Sequence, residues 1–297
     1  MTRDKCKLDL FITFLGPTLL IYGVFVVFPM FSTLYYSFFD WTGLNNIKHF
    51  IGMKNYLLLF SDKDFLAAMI NNVLVILASV FMQIPLGLVM ALIISRPKKR
   101  SNFLSATYFT PYLISTVAIG LIWSFLYDPM LGPINMALKA IGLKSYQILW
   151  LADKNLALLS LLIVVIWNHA PFYMLVFKAS ISCISEDYYE AAAIDGATTF
   201  QKFKNITFPL LFPAISNSVV LSIVGSLKAF DLFYIMTKGG PGSSTELMGT
   251  YMYKQSFMFF KMGYGSAAAF SMFFIAVLAI IFIKYTQNKI RQAASYE

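Results

Sequence analysis

Apolar residues along this chain fall in long blocks, and charged residues are largely confined to the stretches between them. Six blocks stand out, at about 11–38, 68–95, 103–127, 155–179, 209–231 and 266–285. A run of roughly 18 or more apolar residues can cross the hydrocarbon of a bilayer as a helix. Lipid offers no partner to a backbone amide, so each block is expected to satisfy its own hydrogen bonds as an α-helix. The runs are too long and too continuous for the alternating strands of a membrane barrel. The pattern predicts an all-α integral membrane fold of six transmembrane helices. Prolines in or beside the blocks (Pro17, Pro29, Pro85, Pro111, Pro171) predict kinks or ends. Residues 1–66 read as a first helix with its outer loop, 67–286 as a five-helix core, and 287–297 as a tail.

Composition supports the same class. The 297 residues are 59% hydrophobic and 12% charged, whereas a soluble domain is roughly half apolar and a quarter charged. The net charge of +9 would raise the question of nucleic acid in a soluble protein. Here the basic residues border apolar blocks, which points to lipid headgroups and to topology. No basic stripe with interleaved aromatics suggests nucleic-acid binding. Cys6 and Cys183 belong to no Cys/His cluster, so neither a metal site nor a disulfide framework is expected. The basic segment before residue 11 is followed by an apolar run longer than a signal-peptide core, so it reads as a retained first helix.

Charge also sets the expected orientation. All four arginines (Arg3, Arg96, Arg100, Arg291) fall in the segments that share a side with the N-terminus. The cluster Arg96-Pro97-Lys98-Lys99-Arg100 occupies a very short loop, where the positive-inside rule acts most strongly. Both termini are expected in the cytoplasm. The opposite connections, about 39–67, 128–154 and 232–265, carry aromatics and turn residues such as Gly239-Gly240-Pro241-Gly242.

The most informative stretch is the cytoplasmic segment 185–209, before the fifth block. It reads as two short helices around a glycine. Ser185 can cap the first helix, with Glu186 and Asp187 near its positive end. Glu190, Ala191 and Ala192 lie in that helix, and Asp195-Gly196-Ala197 closes it, Gly196 taking a left-handed conformation. Thr198 or Thr199 can cap the second helix, and Pro209 is expected to open the next span. Phe200, Phe203 and Ile206 give the second helix an apolar face. That face either packs on the protein's own inner surface or docks on a partner.

The segment resembles the EAA loop of bacterial binding-protein-dependent ABC importer permeases. The family pattern is EAA, three residues, G, nine residues, I, one residue, then LP. This chain has Glu190-Ala191-Ala192, Gly196, Ile206 and Pro209 at that spacing, with Phe208 in place of the leucine. Two further stretches are similar to the carbohydrate subgroup, Ile51-Gly52-Met53-Lys54-Asn55-Tyr56 and the run from Phe230 to Gly242. The similarity is greatest to the maltose-transporter-like permease that comes first of the two in such systems.

The resemblance implies the type I importer permease fold and a non-catalytic transport subunit in the bacterial cell membrane. It implies a second permease as partner, in a heterodimer, together with two ATPase subunits and an extracytoplasmic sugar-binding protein. The helix after Gly196 would be the coupling helix, seated in a cleft of an ATPase. Glu190 and Asp195 would supply polar contacts, and Phe200 and Phe203 buried anchors. ATP and Mg would bind the partner, since this chain has no G-x-x-x-x-G-K-[ST] motif; no cofactor or metal is expected here. The solute would be a sugar, with an oligosaccharide first and a polyol next.

Polar and aromatic residues inside spans are the candidates for the solute path. They are Trp123, Trp167, Asn168, Ser226, Lys228, Asp231, Tyr234 and Ser271. For each, interhelical packing is the competing reading. Lys228 and Asp231 are three apart and would share a helix face, as an ion pair or as two groups beside a sugar. Two other classes stand against this reading. An ATP-independent channel or secondary transporter would show more paired intramembrane charge and often an inverted repeat. A membrane enzyme would need a cluster of His, Asp or Ser, and the two histidines, His49 and His169, lie far apart.

Overall fold

The computed structural model describes residues 13–95, 101–142 and 148–294. The basic N-terminal segment with Cys6 and the Arg96–Arg100 cluster lie outside the described residues. The chain divides into two compact units, residues 1–63 with 251–274 and residues 64–250 with 275–297.

Five helices are long and apolar enough to cross a membrane: α1 (Thr13–Ser37), α3 (Lys63–Ile94), α7 (Ala157–Ser182), α9 (Thr199–Leu227) and α12, whose apolar part is Met262–Gln287. The third block is not one helix. It forms α4 (Ser101–Leu113) and α5 (Thr116–Leu126), bent by 88° across a short break. Pro111 lies two residues before α4 ends, and Ser115 at the break has extended backbone angles. Counted as one broken span, this bent pair brings the number of apolar segments long enough to cross to six. Shorter helices complete the chain: α2 (Lys54–Ser61), α6 (Pro133–Ala140), α8 (Glu186–Ile194), α10 (Asp231–Thr237) and α11 (Met248–Tyr253).

Pro111 lies by an end, as expected, but other prolines are absorbed without a break. Four five-residue π-helical turns occur among the described residues; Lys254–Met258 follows α11 with no proline after it, and the other three lie within spans, at Gly23–Val27, Ser79–Gln83 and Phe203–Thr207. Each of these three is followed, after one residue, by a proline: Pro29, Pro85 and Pro209. A proline within a helix lacks a donor, and its ring collides with the carbonyl four residues back. Widening the preceding turn moves those carbonyls aside. The residue before each proline then donates five residues back, Phe28 to Gly23, Ile84 to Ser79 and Phe208 to Phe203. The helix runs on without exposing backbone to lipid. Pro209 accordingly does not open the fifth span; α9 passes straight through it from Thr199.

In the larger unit, α3 and α7 lie side by side around Ile84, Ala91, Ile94, Tyr173, Met174 and Phe177. A second cluster joins Val75 of α3, Ile119 of α5, Leu161 and Val164 of α7, and Leu232, Phe233 and Met236 of α10. Between membrane helices the attraction comes from close packing, so small residues matter. A Cβ on Gly87 would lie 2.7 Å from the Tyr173 Cβ and 2.9 Å from the Ala170 carbonyl. A Cβ on Gly120 would lie 2.9 Å from Ile235.

In the smaller unit, Phe39–Asp40 (β1) pairs antiparallel with His49–Phe50 (β2) beyond the end of α1. Asn55 of α2 is buried and donates to the carbonyls of Ser37 and Phe39, at 2.8 and 3.0 Å. The Tyr251 hydroxyl donates to Asp62 Oδ2 at 2.6 Å. Burial, then the bond to that carboxylate, pushes the Tyr251 phenol well above its usual range, so it stays protonated as a donor.

The Gly87 contact is testable. Gly87→Val drives a branched side chain into backbone of α7 and should lower the unfolding temperature in detergent, at a cost of about 1–3 kcal/mol. Gly225→Ala, where an added Cβ meets nothing within 4 Å, should not.

Candidate functional site

Two regions of the larger unit carry the expected site residues. The first is a cavity of about 240 Å³ in the middle of the helices. Its walls come from α3 (Ser79, Gln83), α5 (Thr116), α7 (His169, Tyr173), α9 (Ser222, Ser226) and the link to α10 (Lys228, Asp231). The π turn of α3 contributes both Ser79 and Gln83. Ser226 Oγ donates to Ser79 Oγ at 3.2 Å, joining α9 to α3 at the wall.

Lys228 and Asp231 both line this cavity, but they do not share a helix face. The fifth span ends at Leu227, Phe230 departs from helical angles, and α10 starts at Asp231. With the helix interrupted, Lys228 follows the negative C-terminal end of α9 and Asp231 sits in the first turn of α10, so each charge lies at the end of a helix that favours its sign. Both are exposed to the cavity.

The other candidates separate. Trp123 and Trp167 meet edge to face with ring centroids 5.5 Å apart, and Trp123 packs against the second apolar cluster. Asn168 is buried, and its Oδ1 has no partner among the described residues. Tyr234 stacks on Phe230 at 5.1 Å. Ser271 is buried on α12 (Met262–Ala294) in the other unit. So Ser226, Lys228 and Asp231 line one cavity, while the two tryptophans, Asn168 and Tyr234 are not among its lining residues.

Thr116, Tyr173 and Ser222 line the cavity without having been singled out from the sequence. A signal existed for the serine. Ser218, Ser222 and Ser226 recur every four residues and are all buried, so they mark the inward stripe of α9. The neighbouring Asn71 and Asn72 act as brackets. Asn71 Nδ2 reaches the carbonyls of Ser243, Ser244 and Glu246, the last at 2.9 Å. Asn72 Nδ2 donates to the Ser226 carbonyl at 2.9 Å, and its Oδ1 accepts from the Met248 amide at 2.8 Å. Together they tie the loop 238–248 to α3.

The second region is the loop between α8 and α9. Ser185 caps α8, its Oγ accepting from the Asp187 amide. At the other end the Ala197 amide donates to the Ala192 carbonyl at 2.8 Å, and the Gly196 amide to Ala193 at 3.1 Å. These two bonds form a Schellman cap. It requires a left-handed residue, and Gly196 has φ +76°. Two residues on, Thr198 and Gln201 form a capping box: the Gln201 amide donates to Thr198 Oγ1, and the Thr198 amide donates to Gln201 Oε1 at 2.7 Å. The spacing from the alanines to Gly196 to Gln201 is thus the spacing of two helix caps back to back.

Glu190, Ala191, Asp195 and Phe200 are exposed, Ala192, Ala197, Phe203 and Ile206 are half-buried, and Pro209 is exposed on α9. Phe200 is 70% exposed. Ile194, which sequence reasoning passed over, is 88% exposed at the end of α8. Its signal was an apolar residue beside Asp195-Gly196, where a solvated turn favours a polar one. Behind this tip the Tyr189 and Thr207 hydroxyls meet at 2.9 Å, tying α8 to the π turn of α9. A groove of about 870 Å³ lies alongside, lined by Leu92, Ile181, Ile184, Glu186, Phe200 and Phe203 among others.

Comparison with known proteins sets these two regions in context. The family model described as the inner membrane component of binding-protein-dependent transport systems matches residues 83–292. A probable ABC transporter permease protein of Pyrococcus horikoshii is 33% identical over 97% of this chain and 98% of its own. A probable starch degradation products transport system permease of Thermoanaerobacterium thermosulfurigenes is 33% identical over 93% of each. A multiple sugar-binding transport system permease of Streptococcus mutans is 32% identical over 93% of this chain and 94% of its own. Among solved structures, a chain of a bacterial ABC transporter involved in import of the acidic polysaccharide alginate superposes with a TM-score of 0.85, at 23% identity, covering 97% of this chain and 98% of the other.

The Schellman cap gives a direct test. Gly196→Ala meets no side chain, since nothing lies within 4 Å of an added Cβ, but it strains the left-handed backbone by about 1–2 kcal/mol. Amide exchange of Gly196 and Ala197 should accelerate in Gly196→Ala, and less in Gly196→Asn, while exchange in α7 stays unchanged.

Proposed function

The chain belongs to the family of inner membrane components of binding-protein-dependent transport systems, and on that premise we propose how it works: it passes a sugar through a pore shared with a second permease, driven by ATPase chains docked on the loop between α8 and α9. It is a multi-pass membrane permease. The single observation that carries the docking assignment is the tip of that loop. Two capped helices hold Ile194 and Phe200 in the open at a defined angle, with Glu190 and Asp195 beside them. Exposed apolar side chains on a rigid, doubly capped turn suit a buried anchor in a partner's cleft.

The mechanism follows from the connections. α9 is continuous from Thr199 to Leu227, so a displacement at the loop is delivered to the cavity wall at Ser222 and Ser226 without an intervening hinge loop. Closure of the ATPases on ATP would tilt α9 and change the cavity's exposure, a two-state transition biased by a ligand. ATP and Mg belong to the ATPase partners; this chain's part is to be moved. The break at Lys228–Phe230 lets the outer end, α10, remain with α5 and α7 while α9 tilts.

A sugar is the solute that the cavity chemistry and the relatives' names favour. Hydroxyl-rich solutes both donate and accept hydrogen bonds, and the wall offers serine and threonine hydroxyls, the Gln83 amide, the Lys228 donor and the Asp231 acceptor. An oligosaccharide is favoured, delivered by an extracytoplasmic binding protein to the outer loops, with both termini of this chain in the cytoplasm.

Uptake of labelled oligosaccharide in cells carrying the whole system tests both parts. Glu190→Lys should insert normally yet lose uptake and fail to retain the ATPase on purification; normal uptake with the ATPase retained would overturn the docking assignment. Asp231→Ala should reduce uptake while ATPase retention stays intact. Unchanged uptake there would move the solute path elsewhere.

A further inference from the structure

We infer that α2 (Lys54–Ser61) is an interfacial helix that lays Met53 and Leu57 into the outer edge of the bilayer, making the first outer loop a lipid-contacting anchor and not a water-facing lid. The level at which α2 sits is fixed by its bonds to the last turn of a membrane span. Asn55 donates to the carbonyl of Ser37, the final residue of α1, at 2.8 Å, and the Tyr56 hydroxyl meets Ser37 Oγ at 2.7 Å. At the other end, Asp62 alone separates α2 from Lys63, where the next span begins. An eight-residue helix spans only about 12 Å. It is bonded at one end to the last turn of α1 and joined at the other to the first residue of α3, so α2 stays beside the ends of two helices long enough to cross the membrane.

The outward surface of α2 has the composition that this depth calls for. Met53 and Leu57 are four apart, share a face, and are 60% and 71% exposed. Phe50, just before them, is 72% exposed. The inward face is held by Asn55 and Leu59, both buried. Lys54 and Ser61, on the flank between, line a crevice of mixed polarity with Asp40, Asp62, Lys261 and the apolar Ile51 and Leu58. Nearby, Lys48 lies 4.6 Å from the Tyr36 ring centre and 4.9 Å from that of Trp41, and the Trp41 indole donates to the Asn45 carbonyl. Aromatic rings with a paired lysine at a span's end are what the headgroup region selects. The apolar face is also continuous in sequence with α1, none of whose most apolar stretch is buried within the chain. The proposal gives Met53 and Leu57 the same lipid surroundings that so apolar an exposed stretch of α1 requires. It is independent of which solute is carried.

The test uses the complete transporter in liposomes, with Cys6 and Cys183 replaced by serine and single nitroxide labels at positions 53, 54, 57 and 61. Labels at 53 and 57 should collide more with oxygen, which concentrates in lipid, than with a water-soluble nickel complex. Labels at 54 and 61 should show the reverse. Nickel-dominated collisions at 57 would overturn the proposal in favour of a water-facing helix. Protection at 57 from both reagents would overturn it in favour of cover by a protein subunit. An unlabelled, unmutated complex provides the second measurement, free of any folding defect. A phospholipid with a diazirine near its headgroup should mark the peptide holding Met53 and Leu57 on illumination, and absence of that mark, with spans α1 and α3 marked, would also sink the assignment.

Discussion

Lipid supplies no hydrogen bond to a peptide group, and every larger feature of this protein is a response to that constraint. A helix meets it along its length but has difficulty wherever a proline removes a donor. The π turns before Pro29, Pro85 and Pro209 answer this locally, by shifting one round of hydrogen bonds and letting the helix continue. Where helices do stop inside the apolar region, side chains take over. The Ser226 carbonyl, near the end of α9, accepts from Asn72, and the Met248 amide at the start of α11 donates to the same residue. One buried asparagine thereby serves two helix ends from two different parts of the chain.

The same constraint explains where the cavity lies. Lys228 and Asp231 sit at a break in the fifth apolar block, and Thr116 sits just after the break in the third. Breaks free polar groups, and polar groups within a membrane protein belong against water or against one another. The cavity therefore collects the breaks, the inward serines of α9 and the widened turn of α3. It is built from the places where regular helix fails, which is also where a hydroxyl-rich solute would find donors and acceptors.

Outside the apolar blocks the solution changes. The loop between α8 and α9 uses side-chain and glycine caps, because water competes there and a bare helix end would fray. Its rigidity has a consequence for transport. Tyr189 and Thr207 tie α8 to the base of α9, so the loop and the span form one lever. On the proposed docking, a force applied at Ile194 and Phe200 would move the cavity wall and would not be lost in a flexible turn.

Much of this was legible in the residues alone. The apolar blocks located the spans to within a few residues, save that the fifth begins ten residues earlier than expected, because Pro209 was read as a helix start and a widened turn carries the helix through it. Ser185, Gly196 and Thr198 announced the two caps. The pairing of Lys228 with Asp231 was misread, since a spacing of three implies a shared face only if the helix is unbroken, and no local signal marks a break that is stabilised by Asn72 from 154 positions away. The sequence by itself determined which segments are apolar enough to cross the membrane and where the loop between α8 and α9 turns, for those depend on solvent transfer and on bonds between near neighbours. Only the tertiary structure decided where the helices bend, which serines meet which asparagine, and which of the intramembrane polar groups share a cavity, because those outcomes rest on contacts between helices whose spacing in the chain carries no trace of their meeting.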